Sequence, residues 1–305
     1  MTPEPHPEVV LVAGASGYIG SRLLPALQRA WPRARVLGVA RRAWPGGQAL
    51  DLRDAAATAG LLAEVRPGVV FQLAGLIQSN DWDELYRTNV QTTLNVLQAL
   101  AAAPWGATTR VVVAGSAAEY GLVRPEDLPV DEGRVVNPVL PYGVSKAWQT
   151  TLARAYAARG LDVMVGRIFN VFGTGAPATT SLGAFGKQIR AIRDSGLPGM
   201  LQVGNLDPRR DFVDIDDIAE ALIALAERGQ RGGVYNICSG QSVAVGDALA
   251  QMVTLSGARV QVQTDPARVR PVDVPDMCGS RQRIRLDTGW QPRVAFEASL
   301  RAMLP

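Results

Sequence analysis

An apolar run, Val9–Ala13, passes directly into Gly14-Ala-Ser-Gly17-Tyr-Ile-Gly20 and then into a stretch with helical periodicity. Glycines so placed allow a tight turn, a close approach of backbone to a pyrophosphate, and close packing of a helix on a strand. The helix that follows offers free N–H groups and the positive end of its dipole to a phosphate. A glycine-rich turn alone says little. Its position between a first strand and a helix makes a dinucleotide site the expectation. Ser16, Tyr18 and Ile19 lie in the same loop, and with Gly14, Gly17 and Gly20 they are the first candidate cofactor contacts.

Beyond this loop, short apolar runs alternate with longer helix-like stretches. Val36–Ala40, Val69–Leu73, Arg110–Ala114 and Val163–Ile168 read as further strands buried on both faces. Ile19–Ala30, Ala55–Val65, Glu84–Ala102 and Tyr142–Arg159 read as the helices between them. Such alternation predicts an α/β fold, a Rossmann-like doubly wound parallel sheet with helices on both faces. The pattern loosens near Gly173, returns as a helix over Asp214–Glu227 and a strand over Val234–Cys238, and then breaks into short elements. The expected organisation is a dinucleotide-binding domain from 1–172 plus 211–240. A smaller C-terminal substrate-binding lobe would come from 173–210 plus 241–305.

Composition removes several function classes. Of the 305 residues 47% are hydrophobic and 19% charged, a globular balance. The net charge of +3 comes without basic runs longer than pairs such as Arg41-Arg42 and Arg209-Arg210, which argues against nucleic acid as a partner. His6 is the single histidine, and Cys238 and Cys278 are the two cysteines, so histidine-based acid/base chemistry and a metal centre are not expected. No apolar run is long enough to span a membrane, and the proline-rich leader does not read as a signal peptide. The cytoplasm is therefore the expected compartment.

The second strand ends in Arg41-Arg42, where an NAD-specific site places an Asp or Glu for the ribose 2′-OH. Two arginines suit a 2′-phosphate instead, which favours NADP(H) and leaves NAD(H) possible. Two solvated arginines on a loop are the alternative. Asp51 and Leu52, after the next short run, could meet the adenine, or Asp51 could be an ordinary turn residue.

Tyr142 and Lys146 stand four residues apart, on one face of a helix. A free tyrosine titrates near ~10 and is a poor acid or base at neutral pH. A neighbouring ammonium and an oxidised nicotinamide would favour its phenolate and bring it toward working range. Ser116, just past the end of the strand Arg110–Ala114, sits where open α/β sheets bind ligands. It could share a substrate oxygen with Tyr142, or simply cap a turn.

Gly14-x-x-Gly17-x-x-Gly20, Leu73-Ala-Gly75, Ser116 and Tyr142-x-x-x-Lys146 together resemble the extended short-chain dehydrogenase/reductase family, which includes nucleotide-sugar epimerases, dehydratases and reductases. The resemblance implies that Tyr142 is the acid/base, that Lys146 holds the nicotinamide ribose and tunes Tyr142, and that Ser116 positions the reacting oxygen. It implies that Leu73, Ala74 and Gly75 line the nicotinamide side and that Asn89 stands behind the site. It also implies a homodimer built on the helices after the third and fourth strands.

Three later stretches resemble the GDP-sugar branch of that family, its GDP-mannose dehydratases and GDP-4-keto-6-deoxy-mannose reductases. They are Val203 through Phe212 with Arg209-Arg210, Arg268-Val-Arg270-Pro-Val-Asp273, and the ending Thr288-Gly-Trp-Gln-Pro-Arg293, while Arg167-Ile-Phe-Asn170-Val-Phe-Gly173 resembles the wider family's stretch whose asparagine reaches the substrate phosphates. Gln78, Ser116, Ala117, Asn170, Val203, Arg210 and Arg270 are the implied contacts of a nucleotide-sugar substrate. Arg210 and Arg270 are guanidinium forks suited to a diphosphate, or surface ion pairs. The family's 4,6-dehydratases carry acidic residues directly after the catalytic Ser or Thr, and here Ala117 and Ala118 stand there. The implied reaction is reduction of a 4-keto sugar. A 4-epimerase with retained NAD and a non-catalytic dinucleotide sensor are the alternatives. Gln72, where the family often has histidine, and the short Leu76–Asp81 stretch depart from the pattern and leave the hexose open.

Overall fold

A computed structural model describes residues 7–77, 79, 81–269 and 273–304. Two of the candidate substrate contacts, Gln78 and Arg270, lie outside the described residues. In chain order the strands are β1 (Val9–Ala13), β2 (Arg35–Ala40), β3 (Gln48–Ala49), β4 (Val69–Gln72), β5 (Arg110–Ser116), β6 (Asp162–Ile168) and β7 (Asn170–Phe172). They continue with β8 (Gly199–Val203), β9 (Arg209–Asp214), β10 (Val234–Ile237), β11 (Ser242–Ala244), β12 (Val260–Thr264) and β13 (Asp276–Met277). The α-helices are α1 (Tyr18–Ala30), α2 (Ala55–Val65), α3 (Trp82–Leu85), α4 (Thr92–Ala102) and α5 (Pro141–Ala158). After them come α6 (Ser181–Ser195), α7 (Ile215–Arg228), α8 (Val245–Ser256), α9 (Gln282–Thr288) and α10 (Phe296–Ala302).

The main sheet has seven strands in the order β10-β6-β5-β4-β1-β2-β3, all of its pairings parallel. Every crossover but the short β2–β3 link carries a helix back over a face, so the inner strands are buried on both sides and read as near-continuous Val and Leu. One core packs α1 and α7 against one face, with Leu23, Leu27, Leu222 and Leu225 fully buried. A second packs α2, α4 and α5 against the other, with Leu62, Val96, Leu97 and Ala153. Strand order reverses between β1 and β4, the crevice where open α/β sheets bind ligands.

A third core lies apart from the main sheet. Phe172, Leu182, Phe185, Ile189, Leu201, Phe212, Leu249 and Leu300 fill it, between α6, α8, α10 and the short sheets β11-β9-β13 and β12-β8. β7 pairs with β9 and so ties this region to the end of β6. These short strands were not foreseen from the sequence, because two to six residues hold too little of a two-residue period to be read.

Two boundaries differ from expectation in ways that matter for the site. β5 runs two residues beyond Ala114, since Gly115 and Ser116 still pair with Arg167 and Ile168 of β6. Ser116 is therefore the last residue of the strand and inherits its rigidity. The single helix expected over Glu84–Ala102 is α3, then a π-helical turn Tyr86–Gln91, then α4. One extra residue in that turn rotates Asn89 out of the regular register.

Candidate active site

The loop after β1 has the shape its glycines predict. Gly14 has φ +79°, and a Cβ there would come 2.7 Å from the Ala74 backbone nitrogen of the loop after β4. A Cβ on Gly20 would come 2.4 Å from the Gly14 carbonyl oxygen. Only glycine lets the two loops and α1 meet this closely. α1 begins after Gly17 with no side-chain cap and no acidic residue in its first turn, so its N–H groups and dipole are left for an anion. Ser16 and Gly17 are exposed at this end, whereas Ile19 is half-buried. Burial pushes the Tyr18 phenol well up, the nearby Asp214 adds to this, and its hydroxyl is buried without a partner.

Arg41 and Arg42 are exposed beyond β2. Asp51 is already engaged, since its carboxylate accepts from the Arg53 backbone N–H at 3.0 Å and pairs with the Arg53 guanidinium at 2.5 Å. That bonding holds it below the usual carboxylate range, with Arg41 contributing. Arg53 went unread in the sequence, and it adds a third guanidinium beside the two after β2. Leu52 is buried, and its carbonyl accepts from Asn95 and Thr58, so it shapes the floor of this region.

At the end of β5, Ser116 starts a 3-10 turn, Ala117–Tyr120. Its hydroxyl accepts from the Ala118 N–H at 3.2 Å, and its own N–H donates to Glu119 Oε1 at 2.9 Å. The structure thus makes Ser116 the cap of this turn, and its side chain also acts on the Tyr142 phenol. Tyr142 and Lys146 lie in the first two turns of α5, whose start is fixed by Pro141 at its first position. Burial pushes the Tyr142 phenol up to about 12, eased by the Ser116 hydrogen bond and reinforced by Glu119. Burial lowers the Lys146 ammonium to about 8, and the Glu119 charge opposes that fall.

A buried polar chain supports Lys146 from below. Its Nζ donates to Gln149 Oε1 at 2.6 Å, Gln149 Nε2 donates to Thr93 Oγ1 at 2.6 Å, and Gln72 Nε2 donates to Thr93 Oγ1 at 3.2 Å. Gln72 therefore faces α4 rather than a ligand. Asn89 joins the two sides of the crevice. Its Nδ2 donates to Ser145 Oγ at 2.9 Å and to the Leu76 carbonyl at 3.0 Å, while its Oδ1 accepts from the Leu76 N–H at 2.6 Å. A Cβ on Gly75 would stand 3.2 Å from Asn89 Oδ1 and 3.8 Å from Lys146 Nζ. Gly75, Asn89, Lys146, Tyr142 and Ser116 are thus gathered at the mouth of the crevice, with Leu73 and Ala74 half-buried beside them and Ala117 buried behind. The sequence signalled Gln149 only as helix, because a buried amide leaves no pattern of its own.

The candidate substrate residues are more scattered in what they touch. Asn170 Nδ2 donates to the Asp211 carbonyl at 3.3 Å. Val203 is buried in the third core, and its carbonyl accepts from the Asp265 N–H, so it has no free side chain to offer. Arg210 is ion-paired with Asp273 and donates to the Val274 carbonyl at 2.6 Å. Asp211, next to it, is fully buried. It collects the N–H groups of Ser239, Gly240 and Gly279 and the Ser239 hydroxyl, and burial pushes its carboxyl up to about 6. Among the described residues no cluster of His, Cys, Asp or Glu could hold a metal, and no helix is long and apolar enough to cross a membrane.

A glycine loop on the first strand, a strand-end serine and a Tyr/Lys pair on one helix define a dinucleotide-dependent enzyme of the short-chain dehydrogenase class. Residues 10–238 match the model of the NAD dependent epimerase/dehydratase family, and the chain belongs to that family. A GDP-6-deoxy-D-mannose reductase of Pseudomonas aeruginosa is 31% identical over 303 residues, covering 97% of this chain and 95% of that protein. A UDP-glucose 4-epimerase of Azospirillum brasilense is 30% identical over 310 residues, covering 93% of this chain and 87% of that protein. The structure of RMD from Pseudomonas aeruginosa complexed with NADPH superposes with a TM-score of 0.86 at 29% identity, covering 97% of this chain and 96% of that one.

Proposed function

We propose that the protein is an NADPH-dependent reductase of a nucleotide-linked 4-keto-6-deoxyhexose, with GDP as the nucleotide. The observation that carries this reading is the state of the acid. Burial holds the Tyr142 phenol up at about 12, eased by Ser116, and Lys146 follows it one turn later on α5. A group in that state donates a proton to a carbonyl oxygen that is gaining negative charge. The turn after Ser116 agrees. Ala117 and Ala118 hold no proton, and Glu119 is fully buried and paired with Arg167, so no carboxylate of the turn reaches a sugar to eliminate water from it.

The glycine loop and the uncapped start of α1 fit a pyrophosphate, with Gly14, Ser16, Gly17, Tyr18, Ile19 and Gly20 as its contacts. Arg41 and Arg42 would meet a 2′-phosphate, Asp51 and Leu52 border the adenine, and Leu73, Ala74, Gly75 and Asn89 line the nicotinamide side. When bound, the dinucleotide supplies the hydride. Ser116 holds the carbonyl oxygen, Tyr142 protonates it, and Lys146 fixes the ribose while its charge favours the phenolate that proton transfer leaves behind. The lobe of 173–210 plus 241–305 would carry the nucleotide sugar, with Asn170 and Arg210 as the described candidates for its phosphates; Val203, buried in the third core, is no contact.

A homodimer fits the outer surface. Trp82, Tyr86 and Trp148 form an aromatic cluster across α3, the π turn and α5, with ring centroids 6.3 and 6.4 Å apart, and all three are exposed. Contiguous exposed aromatics mark interaction surfaces. A cytoplasmic protein follows from the same reading.

The test is NADPH oxidation in the presence of a GDP-linked 4-keto-6-deoxyhexose, with Tyr142→Phe alongside. Turnover by the wild type and a loss of about 10²–10⁴-fold in the variant is expected. A 4-epimerase with retained NAD is the second reading, favoured by the UDP-glucose 4-epimerase relative. Failure to oxidise NADPH, together with NAD released on heating, would establish it instead.

A further inference from the structure

The turn that carries Ser116 is anchored by a charge pair that no catalytic step calls for. Glu119 Oε1 accepts from the Ser116 N–H at 2.9 Å, and Oε2 accepts from Arg167 Nε at 2.9 Å. The two side chains are 0% and 6% exposed. The Arg167 guanidinium also donates to the Tyr120 hydroxyl at 3.1 Å and lies 4.7 Å from the Tyr120 ring centroid, and that hydroxyl donates to Asn236 Oδ1 at 2.7 Å. The pair thereby ties the end of β5 to β6 and β10.

Capping a 3-10 turn does not require this. An exposed Glu or Gln closes a capping box equally well. Removing two charges from water costs several kcal/mol per ion before their attraction is counted, and apolar residues of similar volume often replace such pairs with no loss of stability. Stability alone does not explain the arrangement, whereas the placement of Ser116 does. The turn fixes Ser116 at φ −149° and ψ 145° with its hydroxyl on the phenol, and Glu119 is the charged group that acts on both Tyr142 and Lys146. The group that Lys146 bonds directly, Gln149, is neutral.

We propose that Glu119, held by Arg167, is a positioning residue for the Ser116–Tyr142–Lys146 site, fixing the serine through its backbone N–H. The proposal rests on the roles given to those three residues above.

The test replaces the pair with apolar side chains, Glu119→Leu together with Arg167→Met, and follows NADPH oxidation with a GDP-linked 4-keto-6-deoxyhexose. Expected are a melting temperature equal to or above that of the wild type, nearly unchanged KM values, and a kcat lower by about tenfold to a hundredfold. Glu119→Gln keeps an acceptor for the Ser116 N–H but removes the charge, so the alkaline limb of its kcat–pH profile should move to lower pH. Wild-type kcat in the folded double variant, or an unmoved profile in Glu119→Gln, would overturn the proposal. If the double variant does not fold, the Glu119→Gln profile decides alone. Ser116→Ala is run beside them. Full activity in that variant would sink the reading of the site itself, whereas a large loss there with none in the pair variants sinks only this inference.

Discussion

The inner wall of the crevice and its outer rim are built on opposite plans. On the wall, Ser116, Lys146, Asn89, Gln149 and Glu119 are all buried, and every one of them bonds to another fixed group. On the rim, Arg41 and Arg42 are exposed and Ile77 is 60% exposed. Buried polar networks are costly unless complete, and complete ones hold a single geometry. Chemistry needs that single geometry, because acid and serine must meet one oxygen. On the proposed reading, the distal phosphate would be met by long charged side chains in water, each worth little and each tolerant of small shifts. The wall should therefore break steeply and the rim gradually.

Lys146→Met gives the steepest break on the wall. It should lower kcat by about 10²–10⁴-fold, the range for a lost acid–base arrangement. The fold should not suffer. The lysine sits at about 8, below its ordinary 10.5, because burial disfavours its charge. Between about pH 8 and 10.5 the unfolded chain binds more protons than the folded one, so this group's contribution to stability rises with pH across that window. Below it the buried charge is a constant penalty, and methionine removes it. Activity should move the other way in the wild type, with kcat expected to fall as pH rises through about 8 and the ammonium is lost. A kcat–pH profile beside thermal melts at the same pH values separates the two signs.

Asn89→Ala is the intermediate case. It removes three hydrogen bonds at once, freeing the Leu76 backbone and the Ser145 hydroxyl that Asn89 reaches from its π turn. The expected cost is about 1–3 kcal/mol of stability for the buried groups left unpaired. The loop after β4 should loosen against α5, with a loss in kcat of about tenfold to a hundredfold for a misplaced site. Hydrogen exchange at Leu76 reports the loosening directly. Protection equal to wild type would show that Asn89 does not hold the two sides together.

The wall was also more legible in the sequence than the rim. The glycine loop, Ser116, Tyr142 and Lys146 carry fixed spacings because backbone geometry allows few alternatives, and the parallel sheet announced itself through buried Val-rich runs. The extension of β5 through Gly115 and Ser116 was missed, since two small residues carry no apolar signal although they pair with β6. The network under Lys146 was missed as well, because Gln149, Thr93 and Gln72 come from three separate elements and only folding brings them together. In the smaller lobe, strands as short as Asp276–Met277 hold no readable period. There the stretch around Arg210 stood out by its resemblance, yet the sequence could not show that its guanidinium is already paired with Asp273.

The smallest effect is expected at the rim, and it sharpens the comparison most. Arg41 and Arg42 stand in solvent beyond β2, where an arginine–phosphate contact is screened and the guanidinium loses side-chain freedom on binding. Replacing both by alanine should raise KM for NADPH by only about fivefold to tenfold, the effect of one or two screened contacts of about 1 kcal/mol. The KM for NADH, which lacks the 2′-phosphate, should stay put, and kcat with either cofactor should be unchanged. The wild-type preference for NADPH should also shrink as salt is raised, and the variant's should not. A drop in kcat, or an equal rise in both KM values, would mean that these arginines shape the wall rather than read the phosphate. The contrast between a rigid interior and a tolerant margin would then fail at the cofactor end.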